Sequence, residues 1–179
     1  LIVTPAGESI LIDTGMPGER DPSRIHKVAT ETAGLKQIDH LVTTHFHIDH
    51  FGGAADLSRL IPIGTVYDYG IPEKNPDNPD DRDWSKRIQP YREMKVGRRV
   101  VLKPGDAIPL RQKDGSAPIS LRCLMALQET IDKPEGIIIE NPLCQTAREK
   151  EEDTSDNANS IVLLLSFGDF EMFDGGGLT

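Results

Sequence analysis

Four side chains of the kind that bind metal ions lie within six consecutive residues of this sequence. His45, His47, Asp49 and His50 form the pattern H-x-H-x-D-H and include three of the five histidines of the chain. Imidazole nitrogens and carboxylate oxygens are the usual protein ligands of Zn²⁺ and of neighbouring divalent ions. Buried polar groups need partners, so four of them in one short segment are not ordinary core residues. The segment therefore predicts a metal site, and the alternative is a solvated patch of histidines.

The elements around this motif place it at the end of a strand. Residues 41–44 have the pattern of a short buried strand, and residues 54–60 have that of a helix. Open α/β sheets bind ligands at the carboxyl ends of their strands. In an extended turn after the strand, the first two histidines of the motif can point to the same side. The adjacent Asp and final His point differently and could hold a second ion.

The rest of the first half of the chain alternates between strands and helices, which predicts an α/β layered domain. A hairpin is expected over residues 1–12, followed by a helix that begins with Asp21 as its N-cap and ends near Gly34, and then by a strand at 63–67. Residues 72–83 contain three prolines and five acidic residues. They predict a loop that is most simply solvated surface, although such loops also shape substrate access.

The second half of the chain reads mainly as strands joined by turns. The predicted elements are a helix at 84–94, strands at 98–102, 119–125 and 136–140, a polar loop at 148–159, and a hairpin of strands at 160–165 and 170–173. Because no repeat or linker interrupts this pattern, residues 1–179 are expected to form a single domain.

Composition excludes several classes of protein. The formal net charge is −9, and such an acidic chain is a poor candidate for binding nucleic acid through its phosphates. Hydrophobic residues make up 37% of the chain, which is typical of a globular domain and too much for a disordered one. No apolar run approaches the roughly 18 residues that span a bilayer, so no membrane contact is expected. The sequence begins without Met, and we expect it to be truncated at both ends, which leaves a cytoplasmic and an exported location equally open.

Residues 44–53, T-H-F-H-I-D-H-F-G-G, resemble the signature of the metallo-β-lactamase-fold hydrolases. This resemblance implies that His45 and His47 bind one metal ion, and that Asp49 and His50 bind a second. It also implies an αββα sandwich, of which this chain would be the N-terminal part.

Two further segments extend the resemblance. Asp13, in I-L-I-D-T-G, matches an Asp that supports the metal ligands of this family from behind. Residues 157–179 are similar to the branch that contains the DNA-uptake (competence) proteins, in which an Asp after a strand bridges two metals. Alignment on the last two residues puts Gly177 at that position, whereas alignment on the strand end makes Asp174 the candidate ligand. The sequence has no His after position 50, so the later histidine ligands of the family are expected beyond its end.

The resemblance implies a metal-dependent hydrolase that uses a metal-activated water on an ester, amide or phosphoester of a small molecule. Two divalent ions are expected, either Zn²⁺ or alternatively Mn²⁺ or Fe²⁺, and Asp49 would be both a ligand and the catalytic residue that orients the water. One alternative is a nuclease or phosphodiesterase of the competence-like branch, which the negative charge disfavours. Another is a degenerate, non-catalytic module that binds one metal ion or none.

Overall fold

The computed structural model describes residues 1–131, 146 and 151–178 of the chain. These residues form two β-sheets and a set of helices that share one cluster of buried hydrophobic side chains. The predicted α/β class is confirmed, and the sequence-derived order of strands and helices is largely retained.

The first sheet carries the alternation of strands and helices that the sequence predicts. Its spatial order is also its chain order: β1 (Ile2–Val3), β2 (Ser9–Ile12), β3 (Ile38–Val42), β4 (Ile63–Asp68) and β5 (Arg98–Val101). β1 and β2 form an antiparallel hairpin, and the other neighbours are parallel. Leu41 and Val42 of β3 are both fully buried, as expected for a parallel strand that is covered on both faces.

The helices mostly connect the strands of the first sheet. They are α1 (Arg20–Lys27), which continues as a π-helical turn at Val28–Thr32, α2 (Ile48–Phe51), α3 (Ala54–Leu60) and α4 (Trp84–Glu93), and a 3₁₀ helix lies later at Asp156–Asn159. Tyr91 of α4 is buried against this sheet, where its hydroxyl lies 3.0 Å from both Thr43 and Asp68. Of the helices in the described part of the chain, none has the length and apolar character needed to cross a membrane.

The second sheet is antiparallel. Its elements are β6 (Ala107–Ile108), β7 (Ile119–Ala126), β8 (Glu129–Thr130), β9 (Val162–Phe167) and β10 (Phe170–Asp174). The order is β10-β9-β7-β6, with β8 paired to β7. Alternate residues of β7, namely Ile119, Leu121 and Cys123, are buried, which is the period of a strand with one face on the core. The chain contacts the first sheet just before β9, where Ile161 N donates to Thr44 O, two residues after the end of β3.

Four predictions about elements need correction or fall at least partly outside the described residues. Asp21 is not an N-cap, because α1 begins at Arg20 and the Asp21 carboxylate instead accepts from Met16 N and pairs with Arg20. The strand predicted at 41–44 is β3, which begins and ends earlier. The strand predicted at 136–140 and the start of the polar loop predicted at 148–159 lie outside the described residues.

Candidate metal centre

The H-x-H-x-D-H motif begins at the carboxyl end of β3, where the chain leaves the first sheet. Thr43, Thr44 and His45 are all fully buried there, so their polar atoms depend on partners within the protein. Asp13 follows the neighbouring strand β2, and its backbone N–H donates to Val42 O, which extends the sheet by one bond. The ends of two parallel strands therefore bring Asp13 next to the motif.

Asp13 is the anchor of this segment. Its Oδ1 accepts from Thr44 N at 2.8 Å, and its Oδ2 accepts from Thr44 Oγ1 at 2.7 Å. The same Oδ2 lies 2.7 Å from His50 Nδ1. Asp13 adopts a left-handed backbone conformation, with φ of 55°, which Asp tolerates better than most residues. One carboxylate thus fixes both the start of the motif and its last histidine, and its position behind these residues agrees with the sequence analysis.

His45 is completely buried, and its hydrogen bonding defines its tautomer. Nδ1 lies 3.0 Å from Thr44 Oγ1. Because the Thr44 hydroxyl donates its proton to Asp13, its oxygen accepts from His45 Nδ1–H, which leaves Nε2 with a free lone pair. Burial, together with the neighbouring imidazoles of His50 and His47, lowers the pKa of His45 to about 4. His45 is therefore neutral over the physiological pH range, which is the form of imidazole that can bind a metal ion.

In His47 the nitrogen with an oxygen partner is Nε2, whereas in His45 it is Nδ1. Nε2 of His47 lies 2.8 Å from Asp77 Oδ2, a carboxylate oxygen that accepts the Nε2 proton and leaves the lone pair on Nδ1. This Nδ1 lies 3.0 Å from Nε2 of His45. The two free lone pairs therefore face each other across a short gap.

This pair of nitrogens fits one divalent ion. Two lone pairs at this separation repel unless a proton or a cation lies between them. Two nitrogen ligands bound to a tetrahedral ion at 2.0–2.1 Å would be about 3.3 Å apart, close to the separation observed. His45 and His47, which the family resemblance assigns to one metal ion, are thus brought together, with Nε2 of His45 facing Nδ1 of His47.

Asp49 and His50 lie on α2, and Ile48 alone separates them in the sequence from His47. His50 Nε2 is 3.9 Å from Asp49 Oδ2, and the His50 ring lies 3.9 Å from the His45 ring, centroid to centroid. The hydrogen bond to Asp13 is the main factor that raises the pKa of His50, and the charges of Asp49 and Asp174 act in the same direction. The second predicted pair of ligands is therefore adjacent to the first, with its donors on the solvent side.

Asp174 is the last residue of β10, and Gly177 lies in the turn that follows it and reaches the motif from the second sheet. Asp174 Oδ1 accepts from Gly176 N at 3.0 Å, while its charge acts on His50. The backbone of Gly177 packs against the His45 ring, since a Cβ at this position would lie 2.8 Å from His45 Cε1 and would overlap Asn157 Oδ1. A side chain at position 177 would therefore collide with its neighbours. The carboxylate available near this turn is that of Asp174, at the end of β10.

The donor atoms of the four motif side chains approach one another as two pairs, His45 with His47 and Asp49 with His50. Within residues 1–131, 146 and 151–178, no three His, Cys, Asp or Glu side chains are arranged around one point to hold a metal ion. Each predicted ion has two protein donors in this arrangement.

Two carboxylates of the site were not anticipated from the sequence. Asp77 lies in the acidic loop predicted to be solvated surface; it is exposed, and it also contacts His47. Asp156 is fully buried, and its Oδ2 accepts from Phe46 N at 2.6 Å. These residues are 30 and 110 positions away from their partners in the motif, and no local pattern marks either of them.

A cavity of about 330 Å³ opens beside the motif, within the size range of small-molecule sites. It is lined by Phe46, His47, Ile48, Asp49, Phe51, Asn75, Asp77, Trp84 and Arg87. A larger cavity of about 670 Å³ lies between α3 and α4, but it includes none of the histidines. The smaller cavity is therefore the candidate substrate site.

Comparison with known families agrees with this geometry. A family model described as the metallo-beta-lactamase superfamily matches residues 1–137. The match includes Asp13 and the whole H-x-H-x-D-H motif, and it ends before Asp174.

Proposed function

Because the chain belongs to the metallo-beta-lactamase superfamily, whose members are mostly metal-dependent hydrolases, we propose that it hydrolyses a small molecule at an ion held by His45 and His47. The observation that carries this proposal is the 3.0 Å approach of His45 Nε2 to His47 Nδ1, in two rings whose other nitrogens each lie beside an oxygen. Each ring directs its proton to an oxygen acceptor on the far side, so both inner nitrogens are free to bind a cation.

The remaining motif residues have distinct roles in this proposal. A bound ion, Zn²⁺ or alternatively Mn²⁺ or Fe²⁺, would supply a water of lowered pKa and would polarise the scissile group. Asp49 would accept a hydrogen bond from this water and orient it toward the substrate. Asp13 holds the His50 proton on Nδ1, which leaves His50 Nε2 available beside Asp49 for a second ion. Asp174, whose charge acts on His50, would be a further carboxylate ligand at this site.

The surroundings of the site favour a small ester or amide over a nucleic acid. The adjacent cavity combines apolar walls from Phe46, Phe51 and Trp84 with one cationic side chain, Arg87. Carboxylates lie close to His47: Asp77 contacts it, and Asp153 has a pKa lowered by its hydrogen bonds with Ser155 and more weakly by His47. These charges oppose a polyanionic backbone, which argues against the nuclease alternative.

A second candidate function is a metal-binding module without hydrolytic activity. It is favoured by the arrangement of the donors as pairs, since a structural or catalytic zinc ion normally has three or four protein ligands. The number of ions bound per chain distinguishes the two candidates, because two ions support the hydrolase and one or none supports the module.

The proposal is tested by measuring hydrolysis of aryl esters, lactones, an anilide and a bis-aryl phosphodiester by protein loaded separately with zinc, manganese or iron(II). We expect activity on at least one ester or amide, and a loss of at least about 100-fold in Asp49→Asn in preparations that hold as much metal as the wild type. His26→Ala, which removes a histidine from α1, is the control and should retain full activity. A metal-loaded protein that is inactive on the whole panel would favour the non-catalytic module.

A further inference from the structure

We propose that Asp77 is a positioning residue of the metal centre, which selects the His47 tautomer by joining His47 Nε2 to the backbone of Asp156. The inference rests on the proposed function only in taking His47 Nδ1 as a metal-binding atom. It assigns a role in the centre to the acidic loop at 72–83.

Both oxygens of Asp77 are used, and they point to different partners. Oδ2 lies 2.8 Å from His47 Nε2, and Oδ1 accepts from Asp156 N at 2.7 Å. The backbone N–H of Asp77 donates to Asn75 Oδ1 at 3.0 Å, which fixes the loop on the other side of the carboxylate. Asp77 is thus oriented by three hydrogen bonds, although its side chain is 37% exposed.

The partner of Asp77 is itself tied to the histidine segment. The carboxylate of Asp156 accepts from Phe46 N through Oδ2 and from the Tyr69 hydroxyl through Oδ1. Hydrogen bonds therefore connect His47 with Asp77, Asp77 with Asp156, and Asp156 with Phe46, the residue before His47. This closed circuit holds the ring of His47 relative to its own backbone more firmly than a single hydrogen bond would.

Two tautomers of His47 compete in the metal-free protein. With its proton on Nε2, His47 donates to Asp77, and Nδ1 is free to bind a metal. With its proton on Nδ1, His47 would donate to His45 Nε2, which lies 3.0 Å away, and both nitrogens of the inner pair would be blocked. A carboxylate acceptor favours the first tautomer, because a hydrogen bond to a charged oxygen is stronger than one to a neutral imidazole. The first tautomer leaves two neutral lone pairs facing each other, but the second would place the Nε2 lone pair against the negative charge of Asp77, which repels it more strongly.

The variant Asp77→Asn tests this selection, because an amide has one acceptor and one donor where the carboxylate has two acceptors. Asp156 N–H needs the acceptor, so the amide oxygen would face it and the amide NH₂ would face His47 Nε2. A donor at that position requires a lone pair on Nε2, which moves the His47 proton to Nδ1. Asp77→Ala removes the acceptor at His47 Nε2 without placing a donor there.

The first measurement is the ¹⁵N chemical shifts of the His47 imidazole nitrogens in metal-free protein at pH 7.5. The wild type should carry its proton on Nε2, and Asp77→Asn should carry it on Nδ1. The second is zinc affinity by competition with a chromogenic chelator, where we expect Asp77→Asn to bind about 10–100-fold more weakly than the wild type, and Asp77→Ala to bind with intermediate affinity. Asp80→Asn makes the same substitution at an exposed position of the same loop, and it should match the wild type in both measurements.

Several outcomes would overturn the proposal. An Nε2 proton in Asp77→Asn with wild-type zinc affinity would show that Asp77 does not position His47. Equal losses of affinity in Asp77→Asn and Asp77→Ala with an unchanged tautomer would show an effect of charge alone. If the wild type binds no zinc, the proposed function fails, while the chemical shifts of the metal-free protein still decide the role of Asp77.

Discussion

His45 Nε2 lies 3.0 Å from His47 Nδ1, and the other nitrogen of each ring is hydrogen bonded to an oxygen. The two rings thus present different nitrogens to the same point, one Nε2 and one Nδ1. The hydrogen-bond partners of the outer nitrogens, Thr44 for His45 and Asp77 for His47, produce this arrangement. The candidate metal-binding pair of His45 and His47 therefore depends on residues that are not themselves candidate ligands.

Asp13→Ala should destabilise the protein and release the motif. The substitution removes the acceptor of Thr44 N, Thr44 Oγ1 and His50 Nδ1, and it leaves Thr44 N–H buried without a partner. We expect a decrease of about 2–4 kcal/mol in the free energy of unfolding, measured by urea denaturation of metal-free protein. Asp13→Asn retains one acceptor and tolerates the same backbone conformation, so it should be less destabilising. Equal stabilities for wild type and Asp13→Ala would contradict this role.

The acid sensitivity of the metal-free protein should depend on His45. Its pKa is about 4 in the folded protein and near the ordinary 6.5 in the unfolded chain. Between these values the unfolded state binds a proton that the folded state does not, so the stability falls as the pH decreases from 6.5 to 4. One full proton contributes a slope of about 1.4 kcal/mol per pH unit. His50 acts in the opposite sense, because its pKa is raised and its stabilisation is lost as the pH rises through that value.

We therefore expect His45→Gln to flatten the decline in stability between pH 6.5 and 4.5, measured by urea denaturation at several pH values. His26→Gln is the control and should keep the wild-type slope. The same slope in His45→Gln as in the wild type would show that His45 is not buried as a neutral imidazole.

Local patterns were sufficient for several elements of the fold. α3 was predicted with its observed bounds, because Gly52 and Gly53 separate it clearly from the motif and its apolar residues recur at helical spacing. β3 was displaced by two or three residues, since Asp39 and His40 interrupt the apolar run at its start. The structure explains this interruption, because the Asp39 carboxylate accepts from Ser9 N and Ser9 Oγ on β2. A tertiary partner thus makes a polar residue acceptable in a strand.

The site divides in the same way. The candidate ligands His45, His47, Asp49 and His50 form one contiguous motif, so their residue types alone indicated metal binding. Asp77 and Asp156 reach the motif only through the folded chain, and their side chains resemble other acidic loop residues in the sequence. Residues that orient ligands from distant loops have no fixed sequence spacing from those ligands, so only the structure identifies them.

Gly177→Ala should disturb the packing of the β10 turn on His45. A Cβ at this position would lie 2.8 Å from His45 Cε1 and would overlap Asn157 Oδ1. We expect a loss of about 1–3 kcal/mol in the free energy of unfolding by urea denaturation. Gly175→Ala is the matched control, because its Cβ would lie 3.4 Å from the nearest atom, in Phe173, and it should be close to neutral. Adding Asn157→Ala to Gly177→Ala should restore part of the loss, and full wild-type stability in Gly177→Ala alone would contradict the observed approach.

Asp156→Ala should loosen the histidine segment from the side opposite Asp13. Its buried carboxylate accepts from Phe46 N and from the Tyr69 hydroxyl, and the loss leaves both donors without their partner. We expect a decrease of about 2–4 kcal/mol in the free energy of unfolding. Tyr69→Phe removes one of these donors along with its hydrogen bond, so it should cost about 1 kcal/mol or less. A larger effect for Tyr69→Phe than for Asp156→Ala would show that Asp156 is not the anchor of Phe46.

The central claim is that His45 and His47 together hold a divalent ion, and its most direct test is the metal content of the protein after dialysis against excess zinc and then metal-free buffer. Elemental analysis should find at least one zinc ion per chain in the wild type and in His26→Ala at pH 7.5. It should find less than about a tenth of that amount in His45→Ala/His47→Ala, because only Asp49 and His50 of the motif remain as donors. Circular dichroism of each variant establishes that the fold is retained. Unchanged zinc content in the double variant would contradict the assignment of these two histidines as the metal-binding pair.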